Sequence, residues 1–361
     1  TYSLATEAIL AACADAGVSP HDVDGFTFYA GAGGLDAAVL AQTLGTRTVR
    51  FAAVASGGGG GCPAAIGLAA LAVTSGLART VITVNVSKIG PARPAAAFAR
   101  EAESHWDFVR PAGLVAPGQM FALMIQRHMH RYGTRREDLG TVAITSRKHA
   151  STLSTSLHRE LITMDDYLSA RMISSPLCLL DYCLETDGAA ACLTTSLARA
   201  RDLKQSPAVI AGVTMGGEGS WGQGEEWLQM PSEMFATAGM SEIAQDLYRS
   251  AGVGPQDIDV VHLYDHFSGM VLLQLEDLGF CERGESGPFV SSGALDRHNG
   301  SLPCNTDGGS HSHANLHGMT HILEGVRQVR HSAVNQVAGV ENVLVTGGPG
   351  KLPISALILQ R

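Results

Sequence analysis

Tyr264, Asp265 and His266 stand in a row after Val261-His262-Leu263 and before Phe267. They follow a turn and an apolar stretch that reads as a strand, and α/β proteins place functional groups at such strand ends. A phenol and an imidazole in one turn are acid/base chemistry, since either can move a proton for a reacting group. The plain alternative is a surface loop in which Asp265 caps the next helix.

A second group is Cys304-Asn305-Thr306-Asp307-Gly308-Gly309-Ser310-His311-Ser312-His313-Ala314-Asn315-Leu316-His317-Gly318. Gly308-Gly309 allows a tight turn, and several donors, Asn315 and His317 among them, follow before a helix expected over Asn315 to Arg330. Four histidines, His311, His313, His317 and His321, raise a metal reading, with His317 and His321 at helical i, i+4 spacing. No acidic or Cys ligand stands at a recognised metal spacing, so no metal is expected. Two further glycine turns follow apolar strands: Ser56-Gly57-Gly58-Gly59-Gly60-Gly61 and Thr346-Gly347-Gly348-Pro349-Gly350. At a strand-to-helix turn, consecutive glycines let the backbone approach a ligand, and the first N–H groups of the helix face any oxyanion there. Gly57, Gly58, Gly308, Gly309 and Gly348 are therefore candidate contacts to an acyl group. Cys62, at the start of that helix, reads as a small buried hydrophobe.

The elements that position these groups alternate. Thr48 to Val54, Arg79 to Val86, Gly188 to Thr195, Ala208 to Met215, Asn342 to Thr346 and Ile354 to Gln360 read as strands. Leu35 to Leu44, Ala64 to Ala72, Gln119 to Tyr132 and Phe267 to Leu278 read as helices, which makes an α/β chain. Ala16-Gly17-Val18-Ser19-Pro20-His21-Asp22-Val23-Asp24 recurs as Ala251-Gly252-Val253-Gly254-Pro255-Gln256-Asp257-Ile258-Asp259, in each case between an amphipathic helix and an apolar strand. A glycine cap followed by proline ends the helix both times, so internal duplication is expected, with halves 1–205 and 206–361. The first half carries an inserted region at about 87–180, whose start, 87–117, reads as a loop over a site or at a subunit contact.

Composition excludes some classes. A net charge of −9 with only short basic clusters argues against a nucleic-acid groove. No uninterrupted apolar run has membrane-spanning length and no signal peptide is visible. Seven cysteines without paired spacing, with Cys178, Cys183 and Cys192 in apolar surroundings, point to reduced thiols in a cytoplasm. Thr1 begins in a helix-like stretch, so a preceding strand or targeting segment is an expectation.

Tyr264-Asp265-His266-Phe267, the run from Gln274 to Glu285, Asn305-Thr306-Asp307-Gly308-Gly309 and Glu324 to Arg330 together resemble the thiolase-like lipid-transfer proteins. Within them they are similar to the aldolases of bacterial steroid side-chain degradation. Ser146 to Ala150, Glu185 to Ala189 and Ala198 to Lys204 support the resemblance, which spans nearly the whole chain. It implies a thiolase-like fold of duplicated halves in α/β/α/β/α layers. Ordinary thiolases of this branch carry His and Cys where Tyr264 and His266 stand, and a reactive Cys before a Ser-Gly pair. Counting back from Ser56-Gly57 puts Val54 in that place. The aldolase-like members handle protons with two tyrosines: Tyr264 matches the first, and Asn315 stands at the second, where His313 or His317 could substitute.

The activity implied is retro-aldol cleavage of a β-hydroxyacyl-CoA, of a steroid side chain or a smaller chain, without a covalent Cys intermediate. Tyr264 is then the acid/base with His266 beside it, and Asn315 with backbone N–H groups near Gly308 and Gly57 polarises the thioester oxygen. No cofactor is implied beyond the CoA of the substrate. The resemblance also implies a homodimer and a small oligonucleotide-binding-fold partner. The competing readings are a non-catalytic acyl-CoA-binding or accessory subunit and a thiolase-type acyltransferase.

Overall fold

Helix α1 (Tyr2–Ala16) opens the first half and is followed by β1 (Gly25–Tyr29), α2 (Ala37–Leu44), β2 (Phe51–Ala55), α3 (Cys62–Thr74) and β3 (Thr80–Ser87). The structure is a computed structural model that describes residues 1–31, 34–57, 59–88, 110–219, 230–350 and 352–361. Most of the loop expected over 87–117, and Gly58, lie outside the described residues. The chain then forms α4 (Pro117–Tyr132), α5 (Arg136–Ala150) and the ribbon β4 (Met172–Ser174) with β5 (Leu177–Cys178), and returns as β6 (Gly188–Thr195). The second half runs β7 (Val209–Gly216), α6 (Ser241–Ala251), β8 (Val260–His262), α7 (Ser268–Asp277), α8 (Met319–Val329), β9 (Asn342–Gly347) and β10 (Ile354–Gln360).

Two sheets result, ordered β2-β1-β3-β6 and β7-β10-β9-β8. In the first, β1 runs parallel to β2 and β3, and β6 turns back antiparallel to β3. In the second, β8 and β9 are parallel and β10 is antiparallel to both β9 and β7. Helix α3 lies between the sheets and packs on strands of both, with α8 beside it. A helix apolar on every face suits such a position, and α3 buries Cys62, Ala64, Ala65, Ile66, Ala69 and Ala72. Helix α1 covers the first sheet outside, with Leu40, Ala41 and Leu44 of α2 in the same apolar cluster, and α6 covers the second, which completes the α/β/α/β/α layering.

The duplicated segment has the same conformation twice. Gly17 and Gly252 both cap their helices at φ 71°, a 3-10 turn starts at Pro20 and again at Pro255, and β1 or β8 follows. Left-handed backbone that glycine adopts without a Cβ clash explains the first residue, and proline's fixed φ the second. The excursion between β3 and β6 packs on the other half: Met120, Met124, Ile125, Leu139 and Leu177 join Met270, Val271 and Leu272 in one apolar cluster. This brings α4 and α5 against the turn that carries Tyr264.

The expected helix from Asn315 to Arg330 starts later, at Met319. His317 and Gly318 have φ 51° and 84°, and left-handed residues interrupt a right-handed helix. His317 and His321 therefore do not share a helix face.

Candidate active site

Tyr264 leaves β8 with both backbone polar groups held. Its N–H donates to Thr346 Oγ1 at 2.9 Å, its carbonyl accepts from Gln274 Nε2 at 3.0 Å, and Thr346 Oγ1 donates to Gln274 Oε1 at 2.6 Å. Strand β9 and helix α7 thus fix the residue. The ring is 3% exposed and stacks on His266, with centroids 5.1 Å apart and planes 19° from parallel. Over it lies the first glycine turn. Gly60 has φ 82°, and a Cβ there would sit 2.6 Å from the phenol ring; one at Gly59 would sit 3.4 Å from the hydroxyl oxygen. Among the described residues the hydroxyl has no hydrogen-bond partner. Burial, and then nearby Cys183, Tyr29 and Asp265, push its pKa well above the usual phenol value. The neutral phenol is therefore an acid at pH 7, not a base.

Asp265, fully buried, pins the second glycine turn. Its Oδ1 accepts from His321 Nε2 at 3.0 Å and from the Ser310 N–H at 2.9 Å, and Oδ2 lies 3.7 Å from His311 Nδ1. Burial alone would raise its pKa, but His311, His321 and the Ser310 N–H hold the carboxyl far below the usual range. Gly309, at φ 59°, leaves room for this carboxylate; a Cβ there would collide with Asp265 Oδ2. The turn's own donors are spent inside it. The N–H of Gly308 donates to the Asn305 carbonyl at 2.8 Å and that of Gly309 to Asp307 Oδ1 at 2.9 Å. Backbone N–H groups at Gly308 and Gly309 therefore do not polarise a thioester oxygen, contrary to the sequence expectation.

Asn315 and His317 lie on the segment after that turn. The Asn315 N–H donates to Thr186 Oγ1 at 3.0 Å, its Nδ2 to Cys183 Sγ at 3.2 Å, and its Oδ1 accepts from the His317 N–H at 3.2 Å. Cys183 in turn donates its N–H to the His266 carbonyl at 3.0 Å, which links Asn315 to the Tyr264 turn. The His317 ring lies 5.6 Å from that of Tyr29, and burial lowers its pKa. His266 is pushed down to about 3 by burial, and among the described residues neither of its buried ring nitrogens has a hydrogen-bond partner. His313 instead meets Ser156, at 3.0 Å.

The other predicted positions divide. The Gly348 N–H donates to the Gly59 carbonyl at 2.9 Å, tying the third glycine turn to the first. Gly57 lies against the Pro353 carbonyl, 2.6 Å from where its Cβ would be. Val54 does not face the site: it is 61% exposed on the edge strand β2. The long glycine run extends the turn, so Gly59 and Gly60, not Val54, meet Tyr264. Neither glycine has a side chain to acylate. Cys62 is fully buried, with its thiol 4.0 Å from the Leu316 carbonyl and its pKa pushed far up by burial.

Residues 220–360 match the thiolase C-terminal domain-like family. The chain is 40% identical to the steroid side-chain-cleaving aldolase of Thermomonospora curvata over 99% of its own length and 92% of that protein. The chain belongs to the thiolase-like aldolase family. It is also 40% identical to 17-hydroxy-3-oxo-4-pregnene-20-carboxyl-CoA lyase of Mycobacterium tuberculosis, over 99% of this chain and 93% of that one. A solved structure described as the Ltp2-ChsH2(DUF35) aldolase superposes with TM-score 0.93 at 39% identity, covering 99% of this chain and 92% of that chain.

For an aldolase of this family, sequence reasoning overlooked Gly59, Gly60, Cys183 and Thr186 at the site. Thr186 stood inside a recognised motif, Glu185 to Ala189, which was the available signal. Nothing in the neighbours of Cys183 separates it from Cys178, which is buried beside Tyr167 and away from Tyr264.

Proposed function

We propose that this chain is a carbon–carbon lyase that cleaves a β-hydroxyacyl-CoA by a retro-aldol step. The observation that carries the reading is Tyr264: a neutral phenol with no hydrogen-bond partner among the described residues lies under a turn, Gly59-Gly60, that has no side chain to act as nucleophile. The β-hydroxyl proton goes to neutral His317, the Cα–Cβ bond breaks to release a ketone or aldehyde, and its electron pair becomes a thioester enolate. Tyr264 then protonates Cα. The Asn315 amide and the N–H groups at the start of α3, after Gly57, hold the enolate oxygen, where preorganised donors contribute most. His266 buttresses the Tyr264 ring.

The substrate proposed is an acyl-CoA with a steroid side chain, in line with the names of the two relatives, and the CoA belongs to the substrate, with no other cofactor or metal. A homodimer is supported by β2, an edge strand beside the glycine turn that exposes Val54. The name of the similar solved assembly supports a small partner subunit, taken here as an oligonucleotide-binding fold, and we place the enzyme in the cytoplasm. Among the described residues no helix is long and apolar enough to cross a membrane.

One observation favours the accessory-subunit reading: the position where the resemblance implies a second tyrosine holds Asn315, whose amide binds a thiol. Mass spectrometry of products from a panel of β-hydroxyacyl-CoAs, with and without the partner subunit, decides between them. Cleavage abolished by Tyr264→Phe supports the lyase; no cleavage of any substrate, with CoA esters still bound, supports the accessory role.

A further inference from the structure

Strand β1 sends its side chains to alternate faces of the first sheet. Phe26 and Phe28 lie in the apolar cluster shared by α1 and α2, and between them Thr27 meets Thr83 of β3, with hydroxyl oxygens 2.7 Å apart. Tyr29, the last residue of the strand, therefore turns to the inner face, where it joins Cys62 and Ile66 of α3. It pairs with Ala55, and the Ala30 N–H donates to the Ala55 carbonyl at 2.9 Å, so Tyr29 stands where the chain enters the turn at Gly57. Tyr29 is 8% exposed, and among the described residues its hydroxyl has no hydrogen-bond partner. Burying a hydroxyl in that state costs stability unless a ligand completes it. The ring lies 5.6 Å from that of His317 and 45° from parallel to it. His317 is held in a conformation rare for a residue with a side chain, φ 51°. The Leu316 carbonyl before it accepts from Asn85 Nδ2 at 2.9 Å, and Gly318 after it abuts the Gly60 carbonyl, 3.0 Å from where a Cβ would be. Contacts therefore run from Tyr29 to His317, and on through Gly318 and Gly60 to Tyr264.

We propose that Tyr29 is a further catalytic residue, whose phenol donates a hydrogen bond to the β-oxygen of the substrate as His317 removes the proton from it. This rests on the retro-aldol reading above, and its first step creates the need. An alcohol is a far weaker acid than an imidazolium, and burial, by lowering the pKa of His317, weakens the base further. A donor already aimed at the oxygen stabilises the alkoxide as it forms. Tyr29 is the phenol that lies against this histidine. Burial, and then nearby Cys62, raise its pKa, so it stays protonated and donates without giving up its proton. The β-hydroxyl proton goes to His317, the O–H electron pair forms the new C=O bond, and the Cα–Cβ pair passes to the enolate. The Tyr29 hydrogen bond stays on the oxygen of the ketone or aldehyde until that product leaves.

Tyr29→Phe removes the hydroxyl and keeps the ring. Single-turnover cleavage of a steroid β-hydroxyacyl-CoA is expected to fall by about 10²–10³-fold, with the thermal midpoint unchanged or higher because a buried hydroxyl without a partner is lost. Binding gives a second readout, measured by calorimetry in the Tyr264→Phe background so that the ester persists. There the preference for that ester over the same ester without its β-hydroxyl is expected to drop by about threefold to tenfold when Tyr29→Phe is added. A full rate of cleavage by Tyr29→Phe, or an unchanged preference, overturns the proposal. If the unaltered protein cleaves no ester, the lyase reading falls by itself, and the binding preference still decides whether Tyr29 meets the β-oxygen.

Discussion

Tyr264 is chemically useful because everything around it favours its proton. With its pKa raised by burial and then by its neighbours Cys183, Tyr29 and Asp265, it stays protonated across the pH range the protein tolerates. Tyr264→Phe keeps the ring against Gly60 and His266 and removes only that proton. Turnover is expected to fall by about 10²–10⁴-fold with acyl-CoA affinity and thermal midpoint nearly unchanged, as read by single-turnover kinetics and calorimetry. The pH profile follows from the signs of the two shifts. The proposed base, His317, acts when neutral, and its lowered pKa keeps it so well into the acid range; the proposed acid, Tyr264, acts when protonated, and its raised pKa keeps it so into the alkaline range. kcat/KM is expected to stay flat from about pH 6.5 to about pH 10, where unperturbed His and Tyr would titrate. A bell with limbs at those two values counts against the pair. Asn315→Tyr supplies the residue that the aldolase resemblance implies, from a backbone already held by Thr186. It is expected to raise the rate of cleavage, measured on the same substrate.

At the scale of elements, the site is three glycine turns brought against one strand end. The turn at Gly59-Gly60 covers the phenol, the turn at Gly308-Gly309 is pinned by Asp265, and Gly348 hydrogen-bonds Gly59. Gly60 has the most exacting geometry, with positive φ and the Tyr264 ring where a side chain would begin. Gly60→Ala is expected to cost about 1–3 kcal/mol in stability and to lower turnover at least tenfold by displacing the phenol. Denaturant unfolding and steady-state kinetics measure the two effects; a fully active variant of unchanged stability shows that the turn does not hold Tyr264.

At the scale of the molecule, the first sheet presents β2 at one edge and β6 at the other. The β2 edge lies next to the glycine turn, so a partner copy there would also steady the site. A charge in the middle of an edge strand opposes strand pairing. Val54→Lys is therefore expected to convert the proposed dimer to monomer in sedimentation and to reduce turnover, while the folded core, from which Val54 projects, keeps its stability.

Local chemistry made much of this protein readable in one dimension. The strand and helix periods, the Gly-x-x-Pro helix stop repeated in both halves, and the Tyr264-Asp265-His266 turn all depend on residues close in the chain, so α/β layering and the acid/base candidate follow from order alone. The folded geometry decided the rest. Which glycine meets Tyr264 depends on how far the turn at 57–61 travels before α3 starts, and counting along the chain chose Val54, which sits exposed on an edge. The N–H groups of Gly308 and Gly309 looked free until Asn305 and Asp307 were seen to accept them. Cys183 became part of the site only because β6 returns beside β3 and carries the preceding segment, residues 183–187, between the His266 carbonyl and the Asn315 amide. The contacts of Gly60 with Tyr264 and of Cys183 with Asn315 join residues more than a hundred positions apart, and no period or spacing in the sequence encodes them.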